Sequence, residues 1–220
     1  MKNYVLKGDI CYSKDLKTLE CIKDGFLVCV DQKSMGVFES LPEEYKNLPI
    51  KDYKNHLIVP GLIDLHLHAP QFPFRGSKMD LELLDWLKEN AFLEEMKYSD
   101  LEYAKKSYKI FVEAMKKSAT TRACIFASRH KDATKLLCEM LEQTGLITYV
   151  GKVNMDREAP EALLDKSVEE SIKETEELIL FNKNLKRTKM ILTPRFILSC
   201  TSKLLKELEV LQNKYQIQVQ

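Results

Sequence analysis

Two histidines one residue apart, His66 and His68, close the run Val59-Pro60-Gly61-Leu62-Ile63-Asp64-Leu65-His66-Leu67-His68. Read as a strand, the run places Asp64, His66 and His68 on one face and Ile63, Leu65 and Leu67 on the other. Two imidazoles on one face can converge on a metal ion. Zinc takes neutral imidazole at about 2.0–2.1 Å, and a catalytic zinc needs about three protein ligands plus an open position. His66 and His68 are therefore an incomplete shell. The competing reading is a half-buried strand in which Asp64 orients a histidine and nothing binds. It ranks lower, because the chain has only four histidines and two fall together at the end of an apolar run, where α/β proteins collect their chemistry.

The elements that must hold these residues follow from apolar spacing. Leu101, Ala104, Tyr108, Phe111, Val112 and Met115 recur at helical period, Ala123 to Ala127 is a buried-strand run, and Ala133, Leu136, Leu137, Met140 and Leu141 are helical again. Ile147 to Val153 reads as a strand, and Ser167 with Glu170 makes a capping box for a helix carrying Val168, Ile172, Thr175 and Ile179. Lys189 to Thr193 is the next strand, Leu204, Leu205, Leu208 and Leu211 mark the next helix, and Gln216 to Gln220 begins another strand. Such βαβα alternation predicts a parallel sheet covered by helices. Four strand-helix units and the opening of a fifth amount to the first half of a (β/α)8 TIM barrel, residues 60–220. An open doubly wound sheet is the lesser reading, since no Gly-rich phosphate loop follows a strand.

Between the first strand and the first long helix lies Ala69 to Met79, rich in Pro, Phe and Gly, then a short helix that Asp80 could cap, with Leu83, Leu84 and Leu87 on one side. Trp86 on that helix is read as packing. Upstream, residues 1–59 hold short β-type runs (Tyr4 to Leu6, Ile10 to Tyr12, Phe26 to Val30, Val37-Phe38), with Asp24-Gly25 and Met35-Gly36 as turns. They predict a small N-terminal β-sheet domain, too slight to stand without partners. His56 reads as structural.

Strand ends in order present His66, His68 and Gln71; Ser128 to His130; Asn154, Met155 and Asp156; and Pro194, Arg195 and Phe196. An amide that both donates and accepts, a rigid guanidinium fork and an aromatic ring suit a planar, hydrogen-bonding heterocycle. Singly, Gln71 could cap a loop, Arg195 could pair with a helix acid such as Glu207, and Phe196 could be core.

Bulk properties bound the partners. Lys plus Arg (34) balance Asp plus Glu (33), so no global field recruits nucleic acid or an anionic membrane. The six cysteines form no C-x-x-C pair and fall partly in apolar runs, as in a reduced cytoplasmic protein. No signal-type segment opens the chain and no apolar run could span a bilayer.

The run Pro60 to Gln71, Leu83-Leu84-Asp85-Trp86-Leu87, Thr120-Thr121 with Ala123-Cys124 and Phe126-Ala127, Val150 to Asp156, and Thr193-Pro194-Arg195-Phe196 with Leu198-Ser199-Cys200 together resemble the guanine deaminase family of the amidohydrolase superfamily. The resemblance covers nearly the whole chain. His-x-His marks only the superfamily, whereas Ala69-Pro70-Gln71 with Thr193-Pro194-Arg195-Phe196 is specific to this member. It implies one zinc per subunit held by His66 and His68, a purine pocket lined by His68, Ala69, Pro70 and Gln71, and a guanine ring held by Arg195 and Phe196. It further implies hydrolytic deamination of guanine to xanthine and ammonia by a homodimer. Ser118-Ala119 stands where the family has Asn-Gly, and Arg122 where a smaller residue is usual. In the family a third metal histidine, the acid/base glutamate, a further histidine and a metal aspartate all follow later than Gln220, so the resemblance assigns no acid/base group within these 220 residues and predicts that they are inactive alone. Two alternatives stand beside it: another cyclic amide or amidine hydrolase, triazine-hydrolase-like or dihydroorotase-like, and an inactive half-barrel acting only through a partner.

Overall fold

The computed structural model describes residues 3–220. The chain forms two compact units, Met1–Gly61 and Leu62–Gln220. In the first, strands β1 (Tyr4–Ser13), β2 (Leu19–Val30), β3 (Lys33–Phe38) and β4 (Ile50–Ile58) make one sheet in the order β3-β2-β1-β4. Asp24-Gly25 and Met35-Gly36 are not turns, as expected from sequence, but lie inside β2 and β3 where the register shifts against the neighbouring strand. Each supplies an extra residue to a bulge, for which a positive φ at Asp24 (53°) and Gly36 (137°) is suited. The hairpin turn is instead Asp31-Gln32, both left-handed at φ 48° and 65°, the conformation that matches strand twist in a two-residue loop. Strand β4 carried no sequence signal because it is mostly polar; it pairs parallel to β1.

In the second unit, β5 (Leu62–His68), β6 (Thr120–Phe126), β7 (Ile147–Gly151) and β9 (Thr188–Met190) form a parallel sheet in chain order. Short strands β8 (Val153–Asn154) and β10 (Thr193–Pro194) pair parallel just past the ends of β7 and β9. A doubly wound sheet reverses its strand order at a switch point; this order never reverses, which is how a barrel wall is laid down. Helices α3 (Leu101–Lys117), α4 (Lys131–Glu142), α5 (Val168–Asn182) and α6 (Ser202–Tyr215) alternate with the strands. Their apolar stripes, among them Tyr108, Phe111, Leu137, Leu178 and Leu208, join Ile125 and Val150 of the sheet in one core. Three of these helices start on side-chain caps: Asp100, Ser167 (as the capping box predicts) and Thr201 accept hydrogen bonds from first-turn amides.

Three local expectations change. The segment after the first strand's loop is α1 (Leu83–Trp86), a π-helical turn Leu87–Ala91, then α2 (Phe92–Met96); Asp80 does not cap it, and Leu83 and Leu84 are 68% and 54% exposed. Among the described residues Gln216 to Gln220 make one parallel bridge, Leu192 to Val219, after Gln216 closes α6 in the left-handed conformation. Strand β5 is not buried: it is the sheet's edge, paired only with β6, and Ile63 and Leu65 are 60% and 70% exposed while Leu67 packs on the core. No helix among the described residues is long and apolar enough to cross a membrane.

Candidate functional site

The β5–β6 ladder sets the histidines. Asp64 pairs with Ala123 and Leu67 with Ile125, so β5 carries one extra residue at Leu65-His66; such bulges re-aim side chains beside functional sites. Beyond the bulge His68 is the direct partner of Phe126, and its ring stacks on that phenyl at 4.3 Å between centroids, with 20° between planes. His66 leans on the same ring at 4.8 Å. One phenyl thus supports both imidazoles, and their Nε2 atoms lie 3.3 Å apart. Two ligands about 2.0–2.1 Å from a tetrahedral zinc stand about 3.3–3.4 Å apart, so the donor spacing fits. Asp64 does not hold an imidazole; its Oδ1 accepts the His66 backbone N–H at 3.1 Å. Burial, then the Arg195 charge, then His66 push the His68 pKa down to about 3. At neutral pH it is an uncharged imidazole with a free lone pair, as metal binding requires. Among the described residues no third His, Cys, Asp or Glu joins them.

Arg195 and Gln71 meet on a residue that sequence reading passed over. Glu95, 4% exposed, receives both terminal nitrogens of Arg195, Nη2 to Oε1 at 3.0 Å and Nη1 to Oε2. The Gln71 amide donates to the same Oε1 at 3.2 Å. Arg195 also lies over the Phe92 ring, 5.0 Å from its centroid. Arg195 therefore pairs with an acid from α2, not with Glu207. Ala69 and Pro70 are buried, Ala69 within the main core, and the buried Tyr98 hydroxyl donates to the Pro70 carbonyl at 3.3 Å, so the turn after β5 is anchored and reaches the site through Gln71. Half-buried Phe196 lines a cavity of about 300 Å³ with Phe92, Leu84, Leu87, Arg157 and Leu198. The histidines, Gln71 and Arg195 are outside that lining; Phe92, touching both, joins the two regions. Glu95 was missed because no apolar stripe or motif in the sequence marks it. Its spacing from Phe92, one helical turn, was the only cue.

The remaining strand ends are structural. Asn154 is fully buried and donates to Ser171 Oγ and Thr175 Oγ1, each at 2.8 Å. Asp156 grips the backbone N–H and hydroxyl of Thr201, the cap of α6. Lys152, also fully buried, pairs with Asp165 at 2.8 Å, and Asp165 further accepts from Ser171 Oγ and the Met155 N–H. His130 is half-buried, its pKa lowered to about 4 by burial and then by Arg129. Trp86 donates its indole N–H to the Ser77 carbonyl at 3.0 Å and packs near Phe74, tying down the loop.

Strand-helix units in barrel order, with a histidine pair at the C-terminal end of the first strand, define a class. The model of the Amidohydrolase family matches residues 57–220, and the chain belongs to this family. Within it the chain is similar to guanine deaminases. It is 34% identical to the guanine deaminase of Rattus norvegicus over 98% of its own length and 50% of that protein's, and 35% identical to that of Escherichia coli over 81% and 41%. The crystal structure of guanine deaminase from C. acetobutylicum with bound guanine in the active site superposes with a TM-score of 0.94 at 40% identity, covering 99% of this chain and 52% of that one. The chain spans about half the length of the curated relatives it matches.

Proposed function

We propose that this chain carries the purine-recognising half of a zinc-dependent guanine deaminase, which hydrolyses guanine to xanthine and ammonia in purine catabolism. The observation that carries the reading is the His66–His68 pair at metal-ligand spacing, with Gln71 three residues further on and the Arg195 charge close enough to lower the His68 pKa, beside a Gln71–Glu95–Arg195 hydrogen-bonded unit packed on Phe92. The solved relative named for bound guanine supports the choice of substrate. Residues 60–220 are the first four to five βα units of the barrel, and residues 1–59 a composite β-sheet domain. The working enzyme is a cytoplasmic homodimer with one zinc per subunit.

His66 and His68 would hold the zinc. When bound, zinc would supply a water far more acidic than bulk water, ionised near neutral pH. The chain's own residues do the rest of what can be assigned. Arg195 and Gln71 hydrogen-bond the ring edge, Phe196 packs against the ring, and the turn from His68 to Gln71 ties ring position to the histidines; such placement lowers the barrier by fixing the approach before reaction. No acid/base carboxylate is assigned among the described residues, since Glu95 is committed to Arg195 and Gln71. The 220-residue chain alone therefore binds but does not turn over.

The test compares zinc content and guanine-to-xanthine conversion of this chain with those of the same chain joined to the C-terminal half of the C. acetobutylicum enzyme. About one zinc and turnover only in the joined form are expected. Turnover by the 220-residue chain alone would mean that the ligands and the acid/base group lie elsewhere in it. Absence of conversion in a folded, zinc-loaded joined form would remove guanine as the substrate.

A further inference from the structure

Glu95 has no part in holding a metal and is not a plausible proton shuttle, yet it is a buried acid at the centre of the recognition groups. We infer that Glu95 is a positioning residue that sets the hydrogen-bonding sense of the pocket, so that the site accepts a ring edge with N–H beside C=O and rejects one with the two reversed. The inference rests on the guanine-pocket reading above and deepens it.

The argument is one of donor and acceptor supply. An ionised carboxylate only accepts. Oε1 of Glu95 takes the Gln71 amide at 3.2 Å and Arg195 Nη2 at 3.0 Å, while Oε2 takes Arg195 Nη1. A side-chain amide is free to turn its two ends about, and nothing in its own shape selects one. Beside a carboxylate only the NH2 end can face inward. Gln71 must then offer its carbonyl oxygen outward, and among the described residues no group donates a hydrogen bond to that oxygen. Arg195, always a donor, cannot swing away: two hydrogen bonds to Glu95 and the Phe92 ring at 5.0 Å fix its plane. Its unspent N–H groups remain available beside the Gln71 carbonyl. The pair thus presents one acceptor and one donor in a fixed order, complementary to a ring lactam. A ligand with the opposite order leaves buried polar groups facing like partners, which costs about 1–3 kcal/mol, or roughly five- to a hundred-and-fiftyfold in affinity.

The Glu95→Gln variant tests this because it keeps shape and removes the one-way character. An amide at 95 both donates and accepts, so Gln71 can turn either end outward. Equilibrium dialysis of the 220-residue chain with radiolabelled guanine is followed by competition with hypoxanthine and adenine, which differ only in the order of donor and acceptor at one ring edge. Wild-type chain is expected to bind guanine and to prefer hypoxanthine over adenine at least about tenfold; E95Q is expected to collapse that preference to within about threefold, with the zinc content of the joined form unchanged. A purely structural role would weaken both competitors together and leave their ratio alone, which overturns the inference while the guanine reading survives. If wild type binds no guanine, the pocket reading itself falls, because every group invoked lies in this chain. Should E95Q not fold, Gln71→Met, which leaves the Glu95–Arg195 pair intact, must lose the same preference, and retention of it overturns the inference.

Discussion

Lys152 is fully buried, and Asp165 is the acid that makes this tolerable, holding the ammonium at 2.8 Å while bonding Ser171 and the Met155 amide. Removing one member of a buried pair strands the other's charge, a loss of about 3–5 kcal/mol. Asp165→Ala is expected to lower unfolding stability by that amount in urea titration; a loss under about 1 kcal/mol would mean that water or Glu174 already compensates Lys152. The two half-buried histidines give a pH signature of definite sign. His68 and His130 titrate near about 3 and about 4 in the folded chain, against about 6.5 when unfolded. Between those values the unfolded chain binds more protons. Stability is therefore complete above about pH 6.5 and is lost as pH falls toward about 3. Urea midpoints of the metal-free chain at pH 7, 6 and 5 should fall in that order, and His130→Asn should flatten the decline. At this scale the site was half legible. His66, His68, Gln71, Arg195 and Phe196 have side chains whose chemistry shows in their type and place at strand ends. Glu95 and Lys152 look like ordinary surface charges in sequence, because what makes them special is burial by residues far along the chain.

Among the elements, the close approach of β7 to Ile191 and Thr193, just before Arg195, depends on the absence of a side chain at Gly151. A Cβ there would stand 2.6 Å from the Ile191 carbonyl and closer still to the Thr193 hydroxyl. Gly151→Ala is expected to destabilise by about 1–3 kcal/mol and to weaken guanine binding through Arg195, read by thermal melting beside dialysis. In the first unit, β1 and β2 set Cys11 directly opposite Cys21, with the sulfurs 2.7 Å apart. Mild oxidation with oxidised glutathione should link this pair, visible as a cross-linked peptide lighter by two hydrogens, while buried Cys138 and Cys200 stay free; Cys21→Ser should abolish it. The same pair explains a limit of sequence reading. Ten residues separate the two cysteines, so only the register makes them neighbours. Helical periodicity located α3, α4, α5 and α6 because each buries one stripe, whereas the polar strand β4 and the bulges at Asp24 and Met35 depend on pairing with other strands, which no local pattern encodes.

At the scale of these 220 residues the decisive feature is the free edge of the parallel sheet at β5. β5 pairs on one side only, and Leu62, Ile63 and Leu65 on it are each more than half exposed. An unpaired strand edge with an apolar surface is a template for further pairing, and soluble proteins ordinarily blunt or cover it. β5 has neither a proline nor a lysine within its span to do so; its only charged side chain, Asp64, lies among apolar neighbours. The 220-residue chain is therefore expected to self-associate at micromolar concentration. Ile63→Thr with Leu65→Thr places a β-branched residue, which a strand favours, at both positions while adding hydroxyls, and should shift the population toward monomer in light scattering coupled to size exclusion. The histidine pair is a second reporter on the same strand: because the His66 and His68 rings rest on Phe126, the zinc content of the joined form should survive the double substitution. A wild-type chain that remains monomeric at these concentrations would show that its edge is already protected, and the exposed leucine and isoleucine would then need another explanation.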